Sequence, residues 1–156
     1  MRTIIAFIIL NISLFPFLQA QTKVISFAKG KANGLSMTDL DARYKSAVHT
    51  DTSLAVFKTE EEQAKFIEAY QSFVKEIGLY LSGKGFEWKN PTRIFNRFYV
   101  DKHGNVEYYV YNFLSSQIDE STAQTFETLM KSFFKDHKFG ITAQIPFAQC
   151  SPVDFQ

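Results

Sequence analysis

The chain has 156 residues, with 17 Lys and Arg against 16 Asp and Glu, and it carries 17 Phe, 7 Tyr and 1 Trp. A near-neutral balance excludes the strongly basic surface that phosphate contacts demand of a nucleic-acid binder, and it leaves no polybasic patch for an anionic membrane. The single cysteine, Cys150, excludes an internal disulfide, so stability has to come from packing; that cysteine reads as a small buried apolar residue.

Arg2 precedes an apolar run from Ile4 to Leu18, interrupted by Asn11, Ser13 and Pro16, which closes on Leu18-Gln19-Ala20. A basic start, an apolar stretch of roughly 7–15 residues and a small residue at the cut mark a cleavable export signal. A membrane span needs roughly 20 apolar residues. Residues 1–20 are therefore expected to be removed, leaving a periplasmic or secreted protein from Gln21 onward with no stable membrane anchor. No cysteine follows the run to take a lipid. Loss of Arg2 leaves 16 basic residues facing 16 acidic ones. The tripeptide Asn11-Ile12-Ser13 falls within the signal and Asn90-Pro91-Thr92 is blocked by its proline, so the rest of the chain has no glycosylation acceptor.

Residues 21–156 read as one α+β domain without repeats or linkers. Val24 to Phe27 suggest a weak first strand or a mobile arm. Ser36-Met37-Thr38-Asp39 has capping-box spacing, and Leu40, Tyr44, Ala47 and Val48 follow at helical intervals, so a helix of about three turns is expected. Thr50 to Val56 reads as a connection. Thr59-Glu60-Glu61-Glu62 is a capping box with acids in the first turn; Phe66, Tyr70, Phe73, Ile77 and Leu81 then form one stripe, and Gly83 and Gly85 supply the stop.

From Ile94 the pattern turns to β. Ile94–Val100 and Val106–Phe113 are rich in β-branched and aromatic residues, and Asp101-Lys102-His103-Gly104-Asn105 between them suits a hairpin with a left-handed glycine. Strict alternation on the second strand puts Val106, Tyr108, Val110 and Asn112 on one side and Glu107, Tyr109, Tyr111 and Phe113 on the other. Neither side is cleanly polar. Ser121-Thr122-Ala123-Gln124 reads as a further capping box for a helix to about His137, with Phe126, Met130, Phe133 and Phe134 on its apolar face and Gly140 as a left-handed cap. Ala143–Phe147 reads as a last strand, at an edge because of Pro146; residues 150–156 alternate and extend the pairing after the Ser151-Pro152 break.

Motifs of catalysis are missing. His49, His103 and His137 fall in a connection, a turn and a helix end, and none stands at metal-ligand spacing with another His, Cys or carboxylate. The chain has no nucleophile elbow, phosphate loop or dinucleotide fingerprint. The acid pairs Asp39/Asp41 and Asp119/Glu120 read as helix starts. No enzyme activity, metal or cofactor is expected.

Residues 98–147 resemble the C-terminal domain of TonB-type energy transducers. The matching residues are Tyr99-Val100-Asp101-Lys102-His103-Gly104-Asn105-Val106, then Ser115-Ser116, Ile118-Asp119-Glu120-Ser121-Thr122-Ala123, and Ile145-Pro146-Phe147. The resemblance implies a hairpin, a helix and a third strand whose sheet edge accepts an extended peptide from an envelope partner. A permanent anchor, a proline-rich spacer and the helix Thr59–Leu81 set the family and this chain apart.

The expected architecture is a small antiparallel sheet, hairpin plus C-terminal strand, packed against two long helices. The expected function is non-catalytic binding of a protein or peptide in the bacterial cell envelope, at a sheet edge or through an aromatic face. The candidate contacts are Arg97, Tyr99, Tyr109, Tyr111 and Phe113. The alternative is a carrier for a small apolar ligand, with Trp88 and Tyr108 among the walls of a cavity between helices and sheet.

Overall fold

The computed structural model describes residues 21–114 and 118–156. The expected export signal and the Ser115-Ser116 pair lie outside them. The hairpin forms because Asp101 gathers its own turn. One carboxylate oxygen accepts the N–H groups of His103 and Asn105, both at 2.8 Å, and the other accepts Asn105 Nδ2 at 2.8 Å. Gly104 takes φ +85°, the left-handed conformation expected of it. The turn joins β3 (Thr92–Val100) to β4 (Val106–Phe113).

Around this pair the chain adds β1 (Lys23–Ser26), β2 (Lys45–Ser46) and β5 (Phe147–Phe155), giving the five-stranded order β1-β4-β3-β5-β2. The sheet is mixed. The three central strands run antiparallel, as expected, but β1 pairs parallel to β4 and β2 parallel to β5. The wholly antiparallel expectation fails at both edges for one reason: the N-terminal region contributes two short parallel strands, the first where a weak strand or a mobile arm is expected and the second where a helix end is expected. Ser26 caps α1 (Phe27–Ala32) by accepting Lys29 N–H, and Ser36 caps α2 (Met37–Arg43) by accepting Asp39 N–H. Helix α2 stops at Arg43 because Tyr44 is extended, which sends Ala47 and Val48 past the sheet edge instead of onto a third turn.

The long helices α3 (Glu60–Gly83) and α4 (Glu120–Asp136) lie where the apolar stripes put them. Thr59 and Glu62 make the reciprocal capping box. On α4 the cap is Asp119 and not Ser121: the Asp119 carboxylate accepts Thr122 N–H at 2.8 Å and both neighbouring hydroxyls. A charged acceptor at the helix N-terminus outcompetes a hydroxyl, and these donors together with Lys89 hold its carboxyl well below the usual range. The C-terminal expectation at Gly140 also fails. His137 is extended and its ring nitrogen meets the Phe133 carbonyl at 2.9 Å, so no left-handed glycine is needed there.

Helices α3 and α4 cover one face of the sheet. Phe66, Phe73, Phe126, Phe133 and Phe134 pack there on Ile94, Phe98, Tyr109, Tyr111 and Phe147. Phe98 and Tyr109 stack at 4.9 Å between centroids, and such ring pairs add about 0.5–1.5 kcal/mol beyond their buried area. The buried amide of Asn96 in this layer is satisfied: it accepts the Tyr109 hydroxyl at 2.6 Å and donates to the Ile94 carbonyl at 3.0 Å. The opposite face carries a smaller core, Ile25, Leu40, Tyr44, Tyr99, Val110 and Ala148.

A bulge decides which aromatics go where. Tyr99 pairs with Tyr108 and Val100 with Val106, so Glu107 is an extra residue on β4. Val106 thereby joins Tyr109 and Tyr111 in the helix-covered core, whereas simple alternation puts it on the other side. The last strand begins at Phe147 and runs through the Ser151-Pro152 pair without a break.

The hairpin turn is docked as well as closed. A Cβ on Gly104 would lie 2.7 Å from the Phe139 carbonyl oxygen, while Gly85, at φ +72°, has open space around it. Gly104→Ala is therefore expected to lower unfolding free energy by about 3 kcal/mol, from left-handed strain plus overlap. Gly85→Ala is expected to cost only the strain, about 1–2 kcal/mol. Urea denaturation measures both, and equal losses would refute the docked turn.

Burial raises the hydroxyl pKa of Tyr44, Tyr99, Tyr109 and Tyr111 above the ordinary 10.0. Folded values above the unfolded one mean stability that is complete below pH about 10 and is lost as pH rises beyond it. In an alkaline titration these tyrosines are expected to ionise together with unfolding. Smooth phenolate formation in a still-folded protein would contradict their burial.

Candidate functional site

Helix α2 lays Asp41 against the face of the sheet away from the long helices. One oxygen of Asp41 accepts the Tyr99 hydroxyl at 2.9 Å, and the other accepts Arg97 Nη2 at 3.2 Å. Arg97 Nε reaches Cys150 Sγ at 3.4 Å. The register explains the meeting, since Arg97 pairs with Cys150 and Tyr99 with Ala148 across β3 and β5. Three elements thus build one polar cluster, with Cys150 half-buried.

The electrostatics follow from that geometry. Burial pushes the Cys150 thiol up, and the Arg97 guanidinium pulls the other way without reversing it. Burial, then donation to Asp41, raises the Tyr99 hydroxyl. A thiolate is the reactive form of cysteine, so this environment keeps Cys150 a weak nucleophile near neutral pH. Beside the cluster Tyr44 donates to Glu107. The rings of Tyr44, Tyr99 and Tyr108 meet edge to face at 5.3, 6.2 and 6.4 Å. Arg43 lies 5.3 Å above Tyr44 and 5.6 Å above Tyr108.

The five expected contact residues fall on two sides of the sheet. Arg97 and Tyr99 are together in the cluster. Tyr109 and Tyr111 are 1% and 2% exposed in the helix-covered core, and Phe113 is half-buried between Trp88 and Phe126. They part because Tyr109 stands opposite Phe98, and Tyr111 opposite Asn96, not opposite Arg97 or Tyr99. The carrier's two expected walls part in the same way: Trp88 packs on the core under the long helices and Tyr108 on the smaller one. The grooves lie at the periphery. One of about 620 Å³ runs between Ser53–Lys58 and Thr142–Ile145, and one of about 490 Å³ lies beside Trp88 and the start of α4.

Sequence reading missed Asp41 and Cys150 as members of one site. Asp41 looks like half of a helix-start pair, and nothing short of the β3–β5 register links position 97 to position 150.

The cluster borders an open sheet edge. Strand β2 covers β5 only at Phe147 and Ala148, where Ala47 N–H donates to the Ala148 carbonyl at 2.8 Å. Strand polarity repeats every two residues, so the backbone groups of Cys150, Pro152 and Asp154 point to the same outer side. Pro152 fits there because the lost N–H faces away from β3. The other edge is shorter, and on it Lys29 reaches Glu127 and Glu120, each at 3.7 Å.

Among the described residues no helix is long and apolar enough to cross a membrane, and no group of His, Cys, Asp and Glu is placed to hold a metal ion. Comparison with known protein families, with curated proteins and with solved structures finds no match to this chain.

Alkylation of Cys150 across a pH series tests the cluster. The midpoint is expected above that of an ordinary thiol, and Arg97→Met is expected to move it higher still, because the thiolate loses the guanidinium in contact with it. A midpoint unmoved or lowered by the substitution would dismiss the Arg97–Cys150 contact.

Proposed function

We propose that the chain is an exported, non-catalytic binding module of the bacterial cell envelope that takes an extended peptide at the outer edge of β5. The reading includes removal of residues 1–20 and a mode of binding like that of the TonB C-terminal domain. The observation that carries it is the uncovered backbone from Cys150 to Asp154 beside the Arg97–Asp41 cluster. Added strands gain main-chain hydrogen bonds for affinity and side-chain neighbours for specificity. Here Asp154 offers both N–H and C=O, Cys150 offers its N–H and a carbonyl that also accepts Gln149 Nε2 at 3.4 Å, and Pro152 offers only an acceptor. Arg97 and Asp41 flank the site with opposite charges, and Arg93 lies 3.6 Å from Asp154 at its far end.

An edge that stays solvent-exposed in a stable protein is normally blunted, and Pro152 does this in part. A proline in the middle of the edge also makes the site selective. A partner strand must tolerate one carbonyl without a donor opposite it. That requirement disfavours indiscriminate pairing between copies while leaving room for a chosen segment.

Substitution by proline separates edge from ladder. Asp154→Pro removes an outward N–H and is expected to leave the melting transition nearly unchanged while weakening peptide capture by tenfold or more, about 1.4 kcal/mol. Val153→Pro removes an inward N–H that serves β3 and is expected to cost about 3 kcal/mol of stability. Peptides selected on the wild-type domain from an extended-peptide library supply the ligand. Undiminished binding by a folded Asp154→Pro protein would rule out strand addition on β5.

A further inference from the structure

We infer that the exported chain carries a modified N-terminus, in which Gln21 closes on its own α-amine to form a five-membered pyroglutamyl lactam. The inference rests on the export reading of residues 1–20, since only a cut after Ala20 turns the backbone nitrogen of Gln21 from an amide into an amine. The place of Gln21 then favours ring closure. Its neighbour Thr22 is tied down by donating to the Val106 carbonyl, and Lys23 opens β1, so Gln21 comes just ahead of the first residue anchored to the sheet. It is exposed.

The charge around this point is suited to the chemistry. Gln21 and Thr22 stand between two grooves, one holding Lys135 and His137 and the other Lys23, Lys29, Lys131 and Glu127. Glu127 is already engaged, with Lys131 at 2.7 Å and Lys29 at 3.7 Å. A new ammonium there meets an excess of positive charge, which favours its neutral, nucleophilic form. The amine nitrogen attacks the side-chain carboxamide carbon of the same residue. The bond from that carbon to the amide nitrogen breaks, and ammonia leaves with the proton the amine gives up; no electrons are exchanged.

Closure removes one cation from a crowded positive corner, and it leaves no free amine for an aminopeptidase. That protects β1, whose Val24 and Ile25 are buried in the two different cores. Loss of this strand would open both at once.

Intact-mass spectrometry and α-amine labelling of the protein recovered outside the cytoplasm of the producing cell test the inference. The expected product is the chain from Gln21, lighter by one ammonia and unlabelled, while Gln21→Ala gives a chain cut at the same place whose amine takes the label. A wild-type chain that starts at Gln21 with full mass and a labelled amine would overturn the lactam and leave export standing. A chain that retains residues 1–20, or is cut elsewhere, would overturn the export reading and the lactam with it.

Discussion

Strand β3 is the constraint on which the rest of the molecule depends. It is paired along its length by β5 and β4, and Ile94, Phe98, Tyr99 and Val100 on it are at most 1% exposed. A strand buried on both faces has to send consecutive side chains into different cores. Phe98 goes under the long helices and Tyr99 under α2. Each neighbour is then forced into register with that choice. Tyr109 must meet Phe98, Ala148 must meet Tyr99, and the bulge at Glu107 absorbs the mismatch at the hairpin end.

With no disulfide to restrict the unfolded chain, this burial has to supply the stability by itself. Rings suit the task, since each removes a large apolar area from water with only two torsions to fix. The polar atoms they bring inside are matched: Tyr109 to Asn96, Tyr111 to Glu127, Tyr99 to Asp41 and Tyr44 to Glu107. Among the described residues no buried side-chain nitrogen or oxygen lacks a partner. The tyrosines therefore do what phenylalanines cannot. They fix which strand and helix positions meet, because a shifted register would leave a hydroxyl or amide dry and unpaired.

What was legible in the sequence was whatever is decided locally. The capping box at Thr59, the stripe from Phe66 to Leu81, the left-handed Gly104 and the two central strands all follow from interactions within a few residues. Elements settled by distant partners were not legible. The four residues of β1 have too short a pattern to decide between a weak strand and an arm, and they form a strand because β4 offers its edge. Asp119 and Ser121 are both good caps on paper, and the choice between them also involves Lys89, which comes from a different loop at 2.9 Å. Pro152 looked like a break because its neighbour across the edge, or the lack of one, is invisible in one dimension. The candidate site suffers most from this. Arg97 and Tyr99 stand together in the cluster, but their companions Asp41 and Cys150 are 56 and 53 residues from Arg97.

The same topology links the cluster to the open edge. Cys150 faces inward to Arg97 through its side chain and outward through its backbone, so one residue belongs to both. Any strand that paired at Cys150 would lie against the Arg97–Asp41 pair, where opposite charges 3.2 Å apart and partly exposed can exchange partners at small cost. Tyr99 stays fixed beneath them, held by the second Asp41 oxygen. The rigid part of the site is thus the buried tyrosine layer, and the adaptable part is the ion pair above it. This division would suit the proposed strand addition: backbone groups held at strand spacing by β3, and a few charged side chains free to choose.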